Sequence, residues 1–303
     1  MDKFTFTEFV SEVQEYFAGR YESAEIKTIQ KSDGEHTALV IRQCVTDDIA
    51  PAIYLESFYN RYEQDDSGDA FAFTMDEIEE LYEKSMNRTE TENLKDKAVE
   101  AVKNWRETVQ AVLVNKEQNE AYLEDKITKD YLDDMVVYYK IVVDTTENDT
   151  ASVAVNRTIF ANMDTTIEEL DEIARENTRK NSGVEFKNVA EVLAELTGMP
   201  KETFGDDLPM YVLTNRTKVD GAILFTYEDI MHNVCEVAHA EGMYILPSSR
   251  HEIICVPINA HKETESLRKM VSEVNDTQVP PGDLLSYGVF KYMDDTREIT
   301  QVE

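Results

Sequence analysis

Four times along this 303-residue chain, two short β-type runs separated by a turn are followed by a stretch with helical spacing, and this alternation narrows the open folds most. Strands joined by tight turns pair antiparallel, whereas a doubly wound parallel sheet needs a long crossover between partners. The expected class is therefore α+β, with antiparallel β-hairpins covered by helices and a helix-rich middle segment. The first unit joins Glu25–Lys31 to His36–Gln43 across Asp33-Gly34, a dipeptide that tolerates the positive φ angles of a tight turn. A helix is predicted after it over Asp47–Tyr62, with Pro51 tolerated in its first turn. The second unit pairs Met135–Asp144 with Ser152–Phe160, ahead of a helix opened by Thr166-x-x-Glu169. The third pairs Met210–Thr214 with Ala222–Thr226 across Val219-Asp220-Gly221, then starts a helix at Thr226-x-x-Asp229. The fourth pairs Tyr244–Leu246 with Glu252–Val256 and continues into a helix over Thr264–Val274.

Around these units the spacing of apolar residues supplies the rest. Thr5-x-x-Glu8 is a capping-box pattern, and Phe6, Phe9, Val10, Val13, Tyr16 and Phe17 follow at helical steps. From Thr74 to Leu132 the chain reads as helical throughout, with Leu94, Ala98, Val102, Trp105, Val109, Val112 and Leu113 as an inward stripe. Pro280-Pro281-Gly282 ends the last helix, and Leu284–Tyr292 is expected to form a final strand or short helix before a polar tail. The expected division is a helix-hairpin-helix unit at 1–69, a helical segment at 70–132 and a hairpin-helix domain at 133–303.

Charge decides which partners are excluded. The chain holds 62 acidic against 30 basic residues, a formal net charge of -32, and such a field repels nucleic acid and anionic membrane surfaces. Direct nucleic-acid binding and membrane association are therefore not expected. A solubilising surface is the simplest account of acids spread along the whole chain, and the sharper one is a surface for a basic protein partner, including a nucleic-acid-binding protein. Three widely spaced cysteines, Cys44, Cys235 and Cys255, suit reduced thiols. With no signal-peptide pattern in the first residues, a cytoplasmic location is expected.

The phrases Met210-Tyr211-Val212-Leu213-Thr214-Asn215, Gly221-Ala222 and Tyr244-Ile245-Leu246-Pro247-Ser248-Ser249-Arg250-His251-Glu252 stand together in the third and fourth units. With Ile49-Ala50-Pro51-Ala52-Ile53-Tyr54-Leu55 upstream and Asn275-x-Thr277-Gln278-Val279 downstream, they resemble a domain-of-unknown-function family from gut anaerobes and their mobile elements. The resemblance spans nearly the whole chain. It implies a protein without an established activity and transfers no site residue.

Two clusters hold reactive side-chain types. In Pro247–Glu252, Ser248 or Ser249 beside His251 could form a nucleophile and its base, which makes a hydrolase one alternative. A turn whose hydroxyls satisfy its own backbone is the simpler account, and neither a Gly-x-Ser-x-Gly elbow nor a Ser-x-x-Lys box is present. On the helix after the third hairpin, His232, Cys235, Glu236 and His239 fall in one arc, with Ile230, Met231, Val234, Val237 and Ala238 opposite. His232, Cys235 and His239 are the candidate ligands of a second alternative, a zinc-binding protein, although donors on a single helix need a second element to complete a tetrahedron. None of the ten glycines forms a Gly-x-Gly-x-x-Gly or Gly-x-x-x-x-Gly-Lys loop, so no cofactor is expected through those devices.

The expected function is binding rather than catalysis, as an accessory or regulatory protein of a cell or mobile element. The expected binding residues are Asn215 and Arg216 in one turn and Ser248, Ser249, Arg250 and His251 in another, because polar groups on loops held by a rigid scaffold are common recognition positions.

Overall fold

The computed structural model describes residues 3–31, 34–42, 50–85, 88–132, 134–145, 150–204, 209–260 and 264–302. The chain divides into two units, residues 1–99 and 100–303. All strand pairings between named strands are antiparallel, so the α+β class read from the hairpins holds.

The smaller unit opens with α1 (Phe6–Ala18), closed at its start by the expected reciprocal cap. The Thr5 hydroxyl accepts from the Glu8 N–H, and the Glu8 carboxylate accepts from the Thr5 N–H at 2.8 Å. Strands β1 (Ser23–Lys31) and β2 (Gly34–Arg42) pair in register from Ser23↔Arg42 to Lys31↔Gly34. Asp33 lies outside the described residues, as do residues 43–49 with Cys44 and Asp47. The helix predicted from Asp47 begins only at Glu56. Ala52–Tyr54 is instead a third strand, β3, on the free side of β2, where the preceding Pro51 costs no ladder bond. Helices α2 (Glu56–Gln64) and α3 (Ala70–Ser85) follow. Thr74 does not cap α3: it lies inside the helix and its hydroxyl donates back to the Ala70 carbonyl at 2.9 Å. Phe9, Phe17, Leu39, Ile53, Tyr62 and Ile78 belong to this unit's core.

The boundary between units falls within α4 (Arg88–Lys103). Beyond it the middle segment is not helical throughout. A short α5 (Trp105–Thr108) gives way to β4 (Val109–Asn115), because the run Val-Gln-Ala-Val-Leu-Val is a buried, β-branched strand whose apolar steps imitate a helical stripe. Then come α6 (Glu120–Leu123), β5 (Thr128–Asp130), β6 (Met135–Thr145) and β7 (Thr150–Ala154). Strand β6 is central in this sheet, with β4 on one side and β5 and β7 along the other. Strand β7 stops short of Phe160, since Asn156 caps a turn of helix, α7 (Arg157–Phe160), by accepting the Ile159 N–H at 2.8 Å. Helix α8 (Ile167–Ser182) starts at the expected Thr166 cap. It also shields the outer edge of β4: Asn177 donates to the Val109 carbonyl and Thr178 accepts the Ala111 N–H.

A second sheet follows. Its strands are β8 (Val184–Asn188), β9 (Tyr211–Asn215), β10 (Gly242–Leu246), β11 (Glu252–Pro257), β12 (Phe290–Met293) and β13 (Glu298–Gln301), in the order β13-β12-β10-β11-β9-β8. Strand β8 and helix α9 (Val189–Thr197) escape the sequence reading, and the polar tail contributes β13. The third hairpin is corrected as well. Gly221–Thr226 is a 3-10 turn, and β9 pairs with β8 and β11. Thr226 donates to the Ile223 carbonyl at 2.7 Å, so α10 (Glu228–Ala238) begins without the predicted cap. The fourth hairpin and α11 (Thr264–Thr277) form as expected.

Met135, Val137, Tyr139 and Ile141 of β6 share one core with Leu213, Ile245 and Ile253 of the second sheet and with α8 and α10. Their neighbours Val136 and Tyr138 point the other way, toward Tyr122 and Leu123, while α11 covers Tyr244, Leu246 and Val256. No helix of the described residues is long and apolar enough to cross a membrane.

Candidate functional site

The segments 214–221 and 247–252 meet in the larger unit. Thr214 stands opposite Glu252 in the β9–β11 ladder, and its hydroxyl donates to the His251 carbonyl at 2.8 Å. From Asn215 the chain turns through Lys218 and Asp220, both with a φ of 56°. The Asn215 side chain holds that turn from within, accepting the Val219 N–H and donating to the Val219 carbonyl at 2.7 Å. Gly221 then passes so close to the other segment that a Cβ there would stand 2.5 Å from the His251 carbonyl oxygen and from Thr214 Oγ1. Only glycine fits that approach.

Asp220 is the joint between the segments. Arg250 Nε donates to its Oδ1 at 2.9 Å and Lys140 Nζ to its Oδ2 at 2.7 Å, so each carboxylate oxygen has a cation. Burial works against the charged form of Asp220, but Arg250 and Lys140 outweigh it and hold the carboxyl well below the usual range. Arg250, 5% exposed, also contacts the Tyr138 hydroxyl. Lys140 reaches the site as the one charged residue in the Met135–Val143 stretch of β6.

His251 is committed at both ring nitrogens. Nδ1 accepts the Asp220 N–H at 3.2 Å, and Nε2 faces Asp283 Oδ1 at 3.0 Å. With Nδ1 an acceptor, the neutral ring carries its proton on Nε2. The bond to Asp283 lifts the His251 pKa above the ordinary imidazole value, against the effect of burial. Ser249 Oγ accepts the backbone N–H of His251 at 3.0 Å. The Ser248 and Pro247 carbonyls accept the N–H groups of Leu285 and Ser286, which straps this segment to residues 283–286. Neither ring nitrogen is directed at a serine hydroxyl, so the nucleophile and base of a hydrolase are not assembled here.

Of the predicted binding residues, Asn215 and Arg216 line an open cleft of about 780 Å³, together with Thr108, Gln110, Lys140 and Asn181 among others. Ser248, Ser249, Arg250 and His251 do not line it; of these, Arg250 and His251 bond directly to Asp220 in its wall. Sequence reasoning missed Lys140, Asp220 and Asp283 as members of the site. A lone lysine interrupting the apolar run of β6 was a usable signal. Asp220 was visible only as a turn residue, and nothing in the sequence marks Asp283.

The zinc ligands do not converge. His232 Nδ1 bonds Asp294 Oδ1 at 2.9 Å, and His239 forms the left-handed C-cap of α10. Cys235 turns into the core rather than outward, 1% exposed, whereas Val237, assigned to the buried arc, is 65% exposed. Burial pushes the Cys235 thiol up to about 12 and the Cys255 thiol up as well, so both stay protonated. Among the described residues no three His, Cys, Asp or Glu side chains are grouped to hold a metal ion.

Comparison with known proteins returned no matching curated protein and no matching solved structure. A family model does match, over residues 3–294, and by it the chain belongs to the Family of unknown function (DUF5688).

Proposed function

We propose that this protein acts by binding, in a regulatory or accessory role, and that its ligand site is the cleft beside the Asn215–Asp220 turn. One observation carries the reading. The side chains best suited to chemistry are tied to one another, His251 to Asp220 and Asp283 and Ser249 to the His251 backbone, while the cleft in front of them is open and framed by a braced turn. A satisfied, rigid frame around a concavity of small-molecule size suits recognition. The test is dialysis of the full chain against a small-molecule extract of its host, followed by native mass spectrometry. A ligand should be retained by the wild type and lost when Asn181→Trp fills the cleft. Retention by both proteins refutes the assignment.

The remaining surface supports a second contact, with a basic protein, including a nucleic-acid-binding one, in the cytoplasm of a cell or acting for a mobile element. In the smaller unit α3 exposes Asp76, Glu77 and Glu80 beside the exposed apolar Phe73 and Leu81; Glu77 and Glu80 pair with Arg61 and Lys84 at the surface, where such pairs are weak enough to exchange for the cations of a basic amphipathic partner. Pull-down from the native host at about 0.05 M and about 0.5 M salt tests it, since exposed charge pairs are screened at the higher value. Capture of basic proteins that survives both high salt and Glu77→Lys with Glu80→Lys would count against this contact.

A further inference from the structure

We infer that the cleft takes a small hydroxyl-rich molecule bearing one carboxylate or phosphate group, with Arg216 recognising the anion; this rests on the binding role proposed above. Acids outnumber bases about two to one in this chain, yet Arg216 makes no ion pair among the described residues. It is also placed. Its backbone N–H bonds the Ser182 carbonyl at 3.1 Å, and its side chain lies over Gly183, with Nη2 3.4 Å from where a Cβ would stand. An exposed guanidinium fork beside a cavity, its backbone fixed and its donors free among the described residues, matches a carboxylate or phosphate that enters.

The charges around it point the same way. Asp220 lines the cleft but is committed to Lys140 and Arg250 on its two oxygens, so it repels an incoming anion little. Lys140, with three donors and one spent on Asp220, adds positive potential to the same wall. Glu107 is the other acid lining the cleft among the described residues, and it is exposed to water. A basic ligand would meet Arg216 and Lys140 together. The remaining polar wall is neutral: Gln110, Thr145, Asn181 and Ser182 offer amide and hydroxyl groups that suit ligand hydroxyls, and the half-buried Val142 offers an apolar face between them.

Isothermal titration of the full chain with glucose, gluconate and glucose 6-phosphate tests the inference. At least one of the two anions should bind, and glucose should bind about tenfold more weakly or worse. Whichever anion wins identifies the acidic group as carboxylate or phosphate. Arg216→Gln should remove that advantage, raising Kd about tenfold or more, with an unchanged melting temperature because the side chain is exposed. Failure of both anions to bind overturns the inference, as does anion binding that survives Arg216→Gln. Equal binding of glucose and the anions overturns it too while leaving the cleft as a binding site, and the extract experiment with Asn181→Trp decides the binding role separately.

Discussion

Replacing Asp220 with asparagine keeps the shape of the joint and removes its charge. Arg250 is 5% exposed and cannot reach bulk water, so the substitution leaves a buried guanidinium bonded to a neutral amide oxygen and the Tyr138 hydroxyl, with the Asp283 carboxylate acting on it only from farther off. Breaking a buried pair from one side costs about 3–5 kcal/mol. The lower end applies here, about 3 kcal/mol, since the asparagine oxygen still accepts one bond and Lys140, on a partly exposed residue, can turn toward solvent. Adding Arg250→Met removes the stranded charge and should recover most of the loss, as buried ion pairs replaced on both sides by apolar groups are often neutral in stability. The assay is urea unfolding of the full chain followed by the fluorescence of Trp105, the single tryptophan, which is 7% exposed in the core of the larger unit. The pH dependence has a defined sign. Because the folded pKa of Asp220 lies below its unfolded value, its contribution is complete above the unfolded pKa of about 4 and is lost as pH falls toward the folded one. Stability of Asp220→Asn should therefore fall less steeply below about pH 4 than that of the wild type. A loss under about 1 kcal/mol, or no recovery in the double variant, refutes the idea that this pair is a buried joint.

Two other outcomes follow from the same geometry. Gly221→Ala should lower stability by about 3 kcal/mol in the Trp105 assay, because the added methyl meets a backbone carbonyl, which cannot swing aside as a side chain does; a loss below about 0.5 kcal/mol would refute the close approach. In a Cys44→Ser variant, Cys235 and Cys255 should react with a disulfide reagent only on addition of urea, as both thiols are buried and held protonated; rapid modification of the native protein would contradict their placement.

Local signals carried much of the fold. The Thr5 and Thr166 caps, the β1–β2 and β10–β11 hairpins and α11 were legible because each is decided by residues that are neighbours in sequence. Where the sequence misled, a long-range partner had overridden the local pattern. Val109–Asn115 has helical steps but is a strand because β6 lies beside it, and Ala52–Tyr54 leaves a helix-like context to pair with β2. Gly221–Thr226 looks like the return strand of a hairpin, yet β11 and β8 already occupy the two sides of β9. The candidate site was legible to the same extent. Its two turns stood out by their polar residues, whereas Lys140 and Asp283, 80 residues before and 63 after Asp220 by their numbering, are brought to it only by the folded chain, Lys140 directly and Asp283 through His251.

Strand β6 also sets its own alignment through charge. Tyr139 donates to Asp171 Oδ1 at 3.1 Å on one side of the strand, where Lys129 and Arg175 complete the partners of that buried carboxylate, and the very next residue, Lys140, serves Asp220 on the other. A slip of one residue would exchange the two faces. The lysine ammonium would enter the core among Val137 and Ile141, and both aspartates would each lose a partner at once. Adjacent residues of opposite character, each answering a carboxylate brought from elsewhere in the chain, thus act as a two-sided key that admits one pairing of this strand and penalises its neighbours.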